Sequence, residues 1–113
     1  MVRKSYETKD DKDLAGGVGA AKLEYWTADG ENPPNVDMMC RITLNPGATV
    51  GVHKHEGEAE IYHVISGIGL YNDNGTDVEV EQGNVLICYN GQTHGLVNTA
   101  DMPFVFDAII IKG

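Results

Sequence analysis

The chain has 113 residues and a formal net charge of −9, from 17 acidic and 8 basic side chains. That length suits one domain able to bury a core, and so acidic a surface repels phosphate backbones and anionic lipid, which excludes nucleic acid and membrane as partners. No apolar run approaches the roughly 18 residues a bilayer span needs, and the charged opening MVRKSYETKDDKD lacks the apolar stretch of a secretory leader. The expected location is the cytoplasm.

In chain order, residues 1–13 read as an arm or a loosely held strand, and 15–21, with three glycines, as a loop. One domain over 1–113 is expected, with 1–21 as its less regular N-terminal arm. KLEYW (22–26) alternates as a short strand, and TADGENPPN (27–35) is a loop by its Gly, Asn and Pro content. VDMMCRITL (36–44) is a strand closed by Asn45-Pro46-Gly47. Further strands are expected at 50–55, 59–65 and 68–71. Asn74-Gly75 signals a hairpin, because this pair accepts the positive φ of a type I′ turn. DVEVE (77–81) turns Val78 and Val80 inward and Glu79 and Glu81 outward. Strands at 85–88 and 93–98 flank a turn at Asn90-Gly91, and 104–111 is a long apolar strand. Nothing has helical periodicity. About nine short strands with frequent turns read as an antiparallel all-β sandwich or barrel.

The four histidines fall in two stretches, Gly47–Gly67 and Gly83–Asn98, and three of them, His53, His55 and His94, stand at the spacings that matter. His53 and His55 are two apart, so on a strand they share a face, roughly 6.6 Å apart along the backbone. From there both imidazoles can turn to one ion held at about 2.0–2.1 Å. Glu58 and Glu60 share a parity with each other, and either carboxylate is a candidate ligand. His63 stands at an odd offset from Glu60 and points to the opposite face. Lys54, between two candidate ligands, also faces away.

Gly47, His53, His55, Glu60 and Gly67 match the first motif of the cupin superfamily, and Gly83, Gly91, His94 and Asn98 match the second. Tyr89 stands where that motif usually has proline, a change in a turn residue. The chain thus resembles a small single-domain cupin. The resemblance implies an all-β fold, an antiparallel double-stranded β-helix or jelly-roll barrel. It also implies that His53, His55, Glu60 and His94 hold one divalent transition metal ion: Fe, Mn, Ni, Co, Cu or Zn. Three nitrogens and one oxygen leave one or two coordination positions open, as catalytic sites do.

Around this set, Tyr62 shares the face of Glu60 and is a candidate to donate to metal-bound oxygen. Glu58, if not a ligand, is a candidate general base or part of a solvated turn. Tyr89 and Gln92 flank His94 and are candidates to line the mouth of the site. Asp107 is the odd carboxylate in an apolar strand and must be paired, exposed or functional. Arg41 is the cation on a core strand that could hold a phosphate. Cys40 and Cys88 form no C-x-x-C pair and read as buried free thiols.

The leading expectation is a metalloenzyme of dioxygenase, isomerase or decarboxylase type acting on a small polar molecule. A small-ligand binding or sensing protein without turnover is the alternative, and a sugar or phosphosugar isomerase or epimerase ranks below both. A homodimer is also expected, because a small sandwich leaves sheet edges to cover.

Overall fold

The pleat of VDMMCRITL turns Cys40, Ile42 and Leu44 to one side and Arg41 and Thr43 to the other, and the computed structural model, which describes residues 1–113, buries the first set. Ten strands run in order: β1 Glu7–Lys12, β2 Ala20–Tyr25, β3 Val36–Leu44, β4 Thr49–Lys54, β5 Glu58–Ser66, β6 Ile68–Asp73, β7 Thr76–Glu81, β8 Val85–Cys88, β9 Thr93–Asn98 and β10 Phe104–Lys112. They form two antiparallel sheets, a six-stranded one in the order β1-β2-β3-β10-β5-β8 and a four-stranded one in the order β4-β9-β6-β7. Side chains from both inner faces, among them Leu44, Val64, Leu96, Phe104 and Phe106, fill the space between. No helix is long and apolar enough to cross a membrane.

The β6–β7 hairpin turns at Asn74 and Gly75, both at positive φ (49° and 98°), as its sequence predicts. Asn98 is buried; its Nδ2 donates to the carbonyls of Leu44 (3.1 Å) and Met102 (2.8 Å), and its Oδ1 accepts from the Ala100 N–H (3.1 Å). This asparagine therefore welds the end of β9 to β3 and to the loop before β10.

The strand alternative holds within residues 1–13, where β1 pairs its backbone with β2 from Glu7–Tyr25 to Lys12–Ala20. Two expectations are corrected by the fold. The expected loop at 15–21 contains a 3-10 turn at Leu14–Gly16 and the first residues of β2. Val78 does not face the core as Val80 does: it is 43% exposed against 2%, because β7 is the outer strand of the smaller sheet and only the Val80 end of it is covered.

A bulge in β4 sets the direction of its histidine. Val50 pairs with Leu96 and His53 with His94, so β4 has one residue more than β9 over this stretch. The extra residue resets the pleat: buried Val50 and inward His53 share a face although they are three apart, while Val52 is exposed. Gly51 sits in this bulge. A Cβ there would lie 2.3 Å from the carbonyl oxygen of Ala15, so only glycine lets the 3-10 turn seat against β4.

Candidate metal centre

His53 on β4 and His94 on β9 are register partners in the smaller sheet, and Glu60 faces them from β5 in the larger one. His55 lies just past β4. Its N–H donates to the Gln92 carbonyl (3.1 Å) and its carbonyl accepts from the Gly91 N–H (2.7 Å), which carries the strand geometry one residue further. The sheets thus bring four side chains from three strands and one turn to a common point. The Nε2 atoms of His53, His55 and His94 lie 3.0–3.2 Å apart, and Glu60 Oε1 lies 3.0 Å from those of His55 and His94 and 3.9 Å from that of His53. His55, Glu60 and His94 are buried, while His53 opens to one side.

Each imidazole is anchored from behind. His53 Nδ1 is 2.7 Å from the Gly51 carbonyl oxygen, His55 Nδ1 is 2.7 Å from Glu58 Oε1, and His94 Nδ1 is 2.9 Å from the Tyr71 hydroxyl. A carbonyl and a carboxylate can only accept, so His53 and His55, when neutral, carry their proton on Nδ1. The Tyr71 phenol admits the same tautomer for His94. Three Nε2 lone pairs then converge on one another and on a buried Glu60 Oε1 that receives no hydrogen bond. Such a cluster of acceptors is unfavourable unless a cation sits among them. Separations near 3.0 Å are also those of ligands on adjacent corners around one ion at about 2.1 Å. The donor set fits a divalent transition metal.

Electrostatics agree. Burial alone would raise the Glu60 carboxyl, but the facing imidazoles of His53, His94 and His55, each positive when protonated, outweigh it and bring it down to about 2. The facing Glu60 carboxylate, 3.9 Å away, raises His53 above its ordinary value against the effect of burial. Burial, reinforced by the Glu60 charge, pushes the Tyr62 phenol well up, so it remains a neutral donor.

The remaining candidates fall in different places. Tyr62 is buried and stacks on His94, with ring centroids 4.9 Å apart and 27° between planes, so it positions a ligand ring from the cavity wall. Glu58 begins β5 and orients His55; it neither enters the donor set nor lies free in a solvated turn. Tyr89 and Gln92 do not line the cavity. They close the β8–β9 turn on each other, the Gln92 N–H donating to the Tyr89 carbonyl (3.0 Å) and the Tyr89 N–H to Gln92 Oε1 (3.2 Å), and the Tyr89 ring is exposed. Arg41 and Asp107 are also outside it. They are cross-strand partners on the outer face of the larger sheet and form a bidentate pair at 2.7 and 3.0 Å, which answers the demand that the Asp107 carboxylate be paired. His63 is exposed on that same outer face, and both cysteines are buried and unpaired. Sequence reasoning missed Tyr71, whose only local signal is its alternation with Gly69, and the Gly51 carbonyl, which is not a side chain at all.

A cavity of about 200 Å³ opens beside the donor set. Apart from His53, His55 and Glu60, its lining is hydrophobic: Leu23 and Tyr25 of β2, Met38 and Ile42 of β3, Val50, Tyr62, Ile110, and Leu14 and Ala15 of the 3-10 turn.

Fold and donor set together define a double-sheet β-barrel protein with one candidate metal centre. The chain belongs to the cupin family: a family model described as a cupin domain matches residues 40–111. It is 34% identical, over 98% of this chain and 93% of the relative, to a protein of Thermotoga maritima named oxalate-binding protein. A crystal structure from Thermotoga maritima, described as a predicted oxalate decarboxylase, superposes with a TM-score of 0.94 at 33% identity over the whole of both chains. An RmlC-like cupin from Shewanella frigidimarina shares the fold, with a TM-score of 0.70 at 17% identity over 95% of this chain and 86% of that one.

Proposed function

We propose that this cupin holds one divalent transition metal ion on His53, His55, Glu60 and His94 and binds a small oxygen-donor acid beside it. The observation that carries the reading is the set of Nδ1 anchors, Gly51 O, Glu58 and Tyr71, which turn the Nε2 lone pairs of all three rings toward Glu60 Oε1. When bound, such an ion supplies a Lewis-acid or redox centre with open coordination positions. His53, on the open side, stands where a ligand enters, and the apolar wall excludes water from the bound acid. Tyr62 holds the His94 ring and keeps its own proton. The Thermotoga maritima relatives, one named for oxalate binding and one described as a predicted oxalate decarboxylase, support a small carboxylic acid as the ligand class.

Turnover of that acid, by oxygenase, isomerase or decarboxylase chemistry, is the first form of the proposal. Binding or sensing without turnover is the second, and one observation favours it: the cavity wall offers no general base apart from the metal ligands themselves, since Glu58 is tied to His55 and burial pushes the Tyr62 and Tyr25 phenols up. A phosphosugar isomerase loses its support, because Arg41 is paired with Asp107 outside the cavity.

The metal assignment is tested by elemental analysis of purified variants. His55→Ala should lose its metal while His63→Ala retains it, and equal loss in both would sink the assignment. Oxygen uptake and product analysis on the metal-loaded chain with short carboxylic acids then separate turnover from binding alone.

We further propose that the chain is a homodimer joined through the outer face of the larger sheet. There Met39, Ile109, Ile61 and Ile87 stand side by side in register, and Val85 beside them is exposed. β1 already lies along the chain's own β2, so the N-terminal arm covers its own sheet edge. Light scattering should return twice the chain mass, falling to one for Ile61→Lys. A monomeric wild type at micromolar concentration rejects the idea.

A further inference from the structure

We infer that the cavity beside the metal centre selects a chelating acid of single negative charge with an apolar body, and disfavours short dianions. The inference rests on the proposed metal-binding function and assigns its ligand class.

The first argument is charge. A divalent ion and the Glu60 carboxylate leave one positive charge in a buried site, and Glu58, 2.7 Å from His55 Nδ1, adds a second carboxylate just behind it. One bound monoanion neutralises the inner set. A dianion leaves a negative charge with no partner, and an unpaired buried charge is strongly disfavoured. No arginine or lysine lines the cavity to receive it. Arg41 is spent on Asp107 outside, and Lys9, across from Leu23 on β1, lies beyond the lining and next to Asp11.

The second argument is the wall. Nine of the twelve lining residues are hydrophobic, and the other three are metal ligands. An acid that turns only polar atoms to this wall leaves it without a partner, whereas an aliphatic or aromatic body removes apolar surface from water on both sides. The third side of the wall is built, not frayed. The 3-10 turn carrying Leu14 is pinned to β4 by the Val18 N–H donating to Thr49 Oγ1 (2.9 Å) and the Thr49 N–H donating to the Val18 carbonyl (2.7 Å). The Gly19 N–H closes the turn on Asp13 Oδ1 (3.0 Å). About 200 Å³ accommodates a small molecule several times the size of a water. Together these features fit a 2-oxo or 2-hydroxy carboxylate with a branched or ring-shaped side chain.

The test holds the chelating atoms constant and varies the body. The full chain is loaded with cobalt(II), its metal content is measured, and 4-methyl-2-oxopentanoate, glyoxylate, 2-oxoglutarate and oxalate are titrated by calorimetry and by the cobalt absorption band. The branched monoanion should bind roughly ten- to a hundredfold tighter than glyoxylate, which has the same donor atoms and no tail. It should also outbind 2-oxoglutarate, whose tail is charged. Met38→Arg should reverse the order of these last two and strengthen oxalate binding, while Met38→Leu should leave the order unchanged. Leu14→Asn, on the turn rather than in a sheet, is a second variant should Met38→Arg fail to fold, and it should narrow the preference for the branched acid. Full metal content with equal binding of glyoxylate and 4-methyl-2-oxopentanoate, or wild-type binding of 2-oxoglutarate or oxalate tighter than that of 4-methyl-2-oxopentanoate, overturns this inference alone. Failure to take up cobalt overturns the metal reading and this one with it.

Discussion

Glu58 Oε1 lies 2.7 Å from His55 Nδ1 and three residues along the chain from it, so the carboxylate and the ring are joined across the turn that links β4 to β5. This contact holds the ring orientation and makes Nε2 a better donor to a metal. Glu58→Ala should therefore weaken metal affinity about ten- to a hundredfold, and Glu58→Gln, which can still accept from Nδ1, by less. Competition against a chromophoric chelator measures both. Wild-type affinity in Glu58→Ala would show that the contact is incidental.

Gly51 serves the bulge, the His53 anchor and the seat of the 3-10 turn at once. A Cβ there meets the Ala15 carbonyl oxygen at 2.3 Å and the Gly17 nitrogen at 2.7 Å. Gly51→Ala must push the turn away from β4, at a cost of about 1–3 kcal/mol. Thermal unfolding should move down by roughly 5–15 °C, with a loss of metal affinity as His53 shifts. An unchanged midpoint would mean that the turn is held elsewhere.

The pH dependence arises from two opposite shifts. In the metal-free chain Glu60 is depressed from 4.5 to about 2, so its contribution to stability is present above 4.5 and is lost as pH falls toward 2. His53 is raised above 6.5, so its contribution is complete below 6.5 and is lost as pH climbs through the higher folded value. A metal must displace the His53 proton, whereas Glu60 is already ionised. The stabilisation conferred by added metal should thus grow from pH 5.5 to pH 8. Thermal unfolding with and without nickel(II) at both values checks this, and an equal shift at both would contradict it.

Burial pushes the Cys40 thiol up to about 12 and raises that of Cys88. Both side chains are essentially inaccessible. Neither should react with an aromatic disulfide reagent at pH 8 in the folded chain, and both should react once guanidinium unfolds it. Rapid release of one thiolate equivalent from the native protein would show that the β8 region opens.

Patterning in the sequence was enough for the apolar stretches bounded by turn residues, β3, β8 and β9, and for the Asn74-Gly75 hairpin, because turn chemistry and positive φ are properties of adjacent residues. Strand parity, also a local rule, put His53 and His55 on one face, and motif spacing joined Glu60 and His94 to them. Pairing between distant strands decided the rest. Tyr71 reaches His94 only because β6 lies beside β9, and Arg41 meets Asp107 only because β3 registers with β10. The β4 bulge inverted the pleat within a single strand, so that Val50 and His53 face the same way, which alternation alone would deny. Tyr89 and Gln92 flank a ligand in sequence but belong to a turn that does not line the cavity, while Leu14 is far from the ligands in sequence and forms part of its wall. Side-chain direction is set by a residue's neighbours in the chain; which directions converge is set by register and by how two sheets close on one another.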